Sequence, residues 1–130
     1  MGMTLRDLHN KAMEQYDAGL VARMNQDYAL WRKRLREAYA LEGKAATRLL
    51  HNHDCEPTRS TLYLGAARIA LQLGMLDRAE SAASQGLAGK PSEYNARALR
   101  ALLDLIPALR KSGRLGDWHK DPSRASITAP

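Results

Sequence analysis

The chain has 130 residues, a net charge of +6 and a single cysteine, the size of one domain that buries about two-thirds of its unfolded surface. Ala, Leu and Arg abound, Phe is absent, and only Val21, Ile69, Ile106 and Ile127 are aliphatic and β-branched, a composition that argues against a sheet-built core and predicts an all-α fold. No apolar run approaches the roughly 20 residues of a membrane span, Met1 to Leu8 does not read as a secretory leader, and a lone Cys55 cannot close an internal disulfide; a soluble cytoplasmic protein is the expectation.

Thr4, with Asp7 three residues on, is a candidate N-cap for a first helix from Leu5 to about Met24, with Leu5, Leu8, Ala12, Tyr16 and Gly19 on one face. Asn25 or Asp27 separates it from a second helix running from Tyr28 to about Leu50, with Tyr28, Trp31, Leu35, Ala38, Ala45 and Leu49 inward. The outer side of the second helix carries Arg32, Lys33, Arg34, Arg36, Lys44 and Arg48, and residues 27 to 50 hold half of the net charge. A run such as Arg32, Lys33, Arg34 and Arg36 suits either a solvated surface or contact with a phosphate backbone.

The segment His51 to Thr58 reads as a loop. His51, His53, Asp54 and Cys55 cluster there, but without the spacing that closes a zinc site, so no metal is expected. Nor does any nucleophile motif, glycine-rich phosphate loop or carboxylate pair stand out, since Glu37 and Glu42 read as partners of neighbouring arginines. The sequence therefore predicts no catalytic residues and no cofactor.

From Leu62 to Pro91 apolar residues recur at Leu62, Ala66, Ile69, Ala70 and Leu73, and then at Leu76, Ala79, Ala83 and Leu87. That is a helical period on both sides of Gly74, so the stretch predicts two short helices folded back on each other. Gly89 and Pro91 end the fourth helix. Ser92 caps a fifth from about Glu93 to Lys111, with Tyr94, Leu99, Leu102, Leu103, Ile106 and Leu109 apolar. Pro107 predicts a kink or an early end. The remainder, 112–130, is polar apart from Leu115 and Trp118 and reads as a disordered tail.

The hairpin around Gly74 resembles one tetratricopeptide repeat, a helix-turn-helix of 34 residues. Gly74 stands at its turn glycine, Leu76 two residues on, Ala79 at the small residue of the second helix and Pro91 at the closing proline. Tyr63, Ala66, Ala67 and Ala70 stand where the pattern has its first-helix residues, and Ala83 where it has Phe. The same frame lies on the N-terminal third with Gln26 at the turn and Trp31 replacing the small alanine, 48 residues upstream. The resemblance implies an all-α, five-helix stack of right-handed helical hairpins over residues 1–111, comprising hairpins at 5–50 and 59–89 and a capping helix at 93–111.

What the resemblance further implies is protein–protein interaction, as an adaptor or complex subunit binding another chain or a second copy of itself. The face turned toward the groove of such a stack would carry Met13, Tyr16, Leu20, Arg23 and Met24 from the first hairpin and Thr61, Leu64, Arg68, Leu71 and Gln72 from the second. Met13, Tyr16, Leu20, Met24, Leu64, Arg68 and Leu71 are the candidate partner contacts, unless the second or fifth helix covers them and makes them core. The rival expectation is a small nucleic-acid-binding protein using Arg32, Lys33, Arg34 and Arg36.

Overall fold

Thr4 begins the first helix with a reciprocal cap. Its hydroxyl accepts the Asp7 N–H at 3.0 Å while the Asp7 carboxylate accepts the Thr4 N–H at 3.2 Å, satisfying two donors that the first turn leaves open. The computed structural model describes residues 2–112, and these are all-α. Helix α1 spans Leu5–Met24 and α2 Tyr28–Arg48; a 3₁₀ turn at His53–Cys55 leads into α3, Thr58–Gln72; α4 spans Leu76–Leu87 and α5 Glu93–Ser112. The expected tail falls outside the described residues apart from Ser112.

Two turns of the same construction fold α1 onto α2 and α3 onto α4. In the first, Gln26 adopts φ 62°, its N–H donates to the Arg23 carbonyl at 2.9 Å, and Asp27 N–H reaches back to Ala22 at 2.8 Å. In the second, Gly74 adopts φ 76°, donates to Leu71 at 3.0 Å, and Met75 N–H reaches Ala70 at 2.9 Å. This is a Schellman pattern, which needs a left-handed residue just past the helix end. Each of its positions in the first turn recurs 48 residues later in the second.

Only the second turn has glycine at the left-handed position. A side chain there is strained by about 1 to 2 kcal/mol, part of which glycine gives back through its freer unfolded chain. Gln26→Gly is therefore expected to stabilise the protein by about 0.5 to 1 kcal/mol, read as a raised urea midpoint with an unchanged slope.

Helix crossings are tight where side chains are small. A Cβ on Gly19 would meet Leu35 Cδ1 at 3.2 Å, and one on Gly86 would meet Leu99 Cδ1 at 2.9 Å. Trp31 fills the space between α1, α2 and α3 together with Ala22, Leu35, Ala38, Ile69 and Leu73. In the second hairpin the equivalent place is held by Ala79, packed with Ala70 and with Ile106 of α5. The large residue in one hairpin and the small one in the next leave room for α5, which lies against α4 and α3.

Helix α5 runs as far as expected, and of the kink or early end expected at Pro107 the early end is not seen: the helix continues through it to Ser112, because Ile106 and Leu109 on either side are buried and hold the last turns onto α3 and α4, outweighing one missing backbone donor. Of the apolar set, Tyr94 is 62% exposed, and Asn95 and Ala96 are buried beside it. Ser92 caps the helix as expected, its hydroxyl accepting the Asn95 N–H at 3.1 Å.

Candidate functional site

Where α1, α2 and α3 meet, the chain buries a carboxylate. Glu42 of α2 is 2% exposed and is held by a histidine, not by an arginine as its sequence neighbours suggested. His9 Nδ1 of α1 lies 2.9 and 3.1 Å from its two oxygens. From α3, Gly65 makes room: a Cβ there would stand 2.7 Å from Glu42 Oε2. Burial pushes the Glu42 carboxyl above the ordinary range, and the hydrogen bond and charge of His9 draw it only partly back.

A carboxyl raised in this way is penalised for ionising in the fold. The penalty is present above its folded pKa and disappears as falling pH protonates it. Glu42→Gln is accordingly expected to stabilise the protein at pH 8, with the gain shrinking as the pH is lowered through the Glu42 pKa. Thermal melts of both proteins over a pH series measure it, and a variant less stable than the parent at pH 8 would mean that the His9 pair outweighs burial.

His9 also lines an open cleft of about 580 Å³ between the N-terminal halves of α1 and α3. Its apolar lining comes from Leu5, Leu62 and Pro57, and its polar lining from Arg6, His9, Asn10, Thr58 and Thr61. Among the described residues no carboxylate lines it; Arg6 can only donate hydrogen bonds, while Asn10, Thr58 and Thr61 can donate or accept. The α3 wall is fixed from behind, because Asn95 of α5 donates to the hydroxyls of Ser60 and Thr61, both at 2.9 Å. Further along, Gln72 Nε2 donates to Tyr16 Oη at 3.2 Å and ties α3 to α1.

The residues expected to face a partner divide into three groups. Met13, Tyr16 and Leu20 are half-buried along one stripe of α1. That stripe continues to His9 at the helical spacing, a signal from which His9 could have been read. Arg68 is exposed, and Met24 is 80% exposed beside Val21 at 57%. Leu71 is half-buried against the core, and Leu64 is not a surface residue at all: it is 3% exposed and packs with Leu99 and Leu102. Helix α5 covers Leu64, which removes it from the candidate contacts.

The basic run on α2 does not form one surface. At about 100° per residue Arg32, Lys33 and Arg34 point in three directions, and Arg34 is taken up by Gln15 at 3.2 Å and Glu37 at 3.5 Å. Lys33, Arg36 and Lys44 are exposed together. Among the described residues no three His, Cys, Asp or Glu side chains gather as a metal site would require, and no helix is long and apolar enough to cross a membrane. No family model, curated protein or solved structure matches this chain.

Proposed function

We propose that the protein is a tetratricopeptide-like, non-catalytic interaction module that holds a segment of another protein between α1 and α3. The observation that carries this reading is the cleft itself, open to solvent, with Leu5, Pro57 and Leu62 as its apolar lining and Arg6, His9, Asn10, Thr58 and Thr61 as its polar lining. A peptide fits such a place because its side chains can pack on the apolar residues while its backbone carbonyls and N–H groups meet the polar ones. The repeated turn geometry around Gln26 and Gly74 supports the kinship in architecture. Half-buried Met13, Tyr16 and Leu20 extend the surface toward exposed Arg68 and Met24.

Arg6 and Asn10 are both exposed, so Arg6→Glu with Asn10→Lys alters the cleft without touching the core. Affinity capture from native extract, followed by mass spectrometry, should show proteins retained by the parent and reduced at least tenfold with the double variant, a loss of about 1.4 kcal/mol. Equal recovery from two proteins with the same circular dichroism would place the partner site elsewhere.

The exposed group Lys33, Arg36 and Lys44 supports a second reading, nucleic-acid binding on a separate face. A phosphate binder loses affinity steeply with salt and an apolar cleft hardly responds. Replacing Arg32, Lys33, Arg34 and Arg36 by Gln should then abolish a gel shift. If the parent gives no shift at low salt, that reading fails.

A further inference from the structure

Helix α5 has two apolar faces, and the stack uses one of them. Asn95, Leu99, Leu102, Ile106 and Leu109 point into the fold. Beside that face runs a second stripe at spacings of four and three, formed by Tyr94, Ala98, Leu105 and Ala108 with another alanine at position 101. Tyr94 is 62% and Leu105 42% exposed. The outermost helix of a helical stack ordinarily turns a polar face to solvent; this one turns an apolar stripe.

We infer that this stripe is the contact between two copies of the chain, paired antiparallel about a twofold axis near position 101. The side chains are complementary to themselves in that arrangement and in no parallel one. Residue 94 of one copy then meets residue 108 of the other, so that Tyr94 lies over Ala108 and Leu105 over Ala98: each large residue faces a small one. Along the solvent flank of the stripe stand Arg97 and Asp104, both exposed and one heptad apart. An antiparallel pair brings the same flank of both helices together, so Arg97 of each copy meets Asp104 of the other. Among the described residues Arg97 has a single, distant ion pair, with Glu93, 3.8 Å apart and largely in water.

A parallel pair would instead stack Tyr94 on Tyr94 and drive the solvent flank of one helix into the folded body of its mate. One helix of this length covers less than the roughly 800 Å² per partner of a standard interface, so the dimer forms with rising concentration and is not obligate.

Sedimentation velocity on the full chain, from low micromolar to several hundred micromolar, tests this. The parent should pass from monomer to dimer. Leu105→Arg should remain monomeric over the whole range with an unchanged thermal melt, because Leu105 lies outside the core. Asp104→Arg should weaken the dimer at least tenfold, and Arg97→Asp combined with Asp104→Arg should restore it. A parent that stays monomeric, a dimer that survives Leu105→Arg, or a charge-exchanged variant that remains weak would each overturn the inference.

Discussion

Arg59→Ala is expected to destabilise the protein by about 3 to 5 kcal/mol, the range seen when one member of a buried charged group is removed. Arg59 is 1% exposed and every part of its guanidinium is engaged. Nε donates to the Leu50 carbonyl at 3.1 Å and Nη2 to the Gln85 carbonyl at 2.7 Å, while Nη1 lies 3.4 Å from the Gly86 carbonyl and 3.5 Å from Glu56 Oε2. The ring of Tyr63 lies beneath it, its centroid 5.1 Å away. One side chain therefore joins the end of the first hairpin to the last turn of α4, whose terminal carbonyls carry partial negative charge.

Removal takes the side-chain donor from the Leu50 and Gly86 carbonyls and leaves the Gln85 carbonyl with the Ala88 N–H at 3.2 Å, and among the described residues Glu56 keeps the backbone N–H groups of Ser60 and Lys90, each at 2.9 Å. Arg59→Lys should recover little, because an ammonium cannot donate in a planar fork to four separate acceptors. Gly89 supplies an independent check: a Cβ there would stand 2.6 Å from Arg59 Nη1 and 2.7 Å from Glu56 Oε2. Gly89→Ala should destabilise the parent and do so less in the Arg59→Ala background, where the Arg59 clash is gone and the Glu56 clash remains. A double-mutant cycle by urea denaturation gives that coupling directly, and additive losses would mean that the two residues do not share the contact.

Trp31→Ala should have an effect of similar size, about 3 to 5 kcal/mol, from lost burial and from the void left behind. The indole is 1% exposed in the core it shares with Ala22, Leu35, Ile69 and Leu73, and the Arg23 guanidinium covers it at 5.5 Å from the ring centroid. Small helical domains are stable by about 5 to 15 kcal/mol, so the variant is expected to be partly unfolded at 37 °C. The opposite change at the equivalent place, Ala79→Leu, should cost about 1 to 3 kcal/mol by overpacking, since Ala79 is fully buried against Ile106. Together the two melts establish whether the hairpins differ as drawn, with one built to hold a large residue and the other to receive α5.

The helices were legible in the sequence to within two residues at most ends, since what starts and stops a helix is local. Thr4 with Asp7, Asp27, Ser92 and the left-handed Gln26 and Gly74 act on backbone groups within a turn of themselves. Of the positions of α2 and its cap expected inward from period alone, Trp31, Leu35, Ala38, Ala45 and Leu49 are buried, while Tyr28 in the first turn is only half-buried. The matching of the two turns was legible as well, since each needs one residue with positive φ at one register.

The candidate site was not legible to the same degree, because it is assembled from residues far apart in the chain. His9 and Glu42 are 33 positions apart, and no spacing rule joins them; only the crossing of α1 over α2, with a glycine of α3 above it, puts the imidazole on the carboxylate. Arg59 reads as one more surface arginine until α4 and the end of α2 close around it. Leu64 and Leu20 looked alike as groove residues, and the difference between core and half-buried surface was decided by where α5 came to rest. Hydrophobic period indicates which side of a helix avoids water, whereas the identity of the covering element depends on packing between helices, a property of the folded whole.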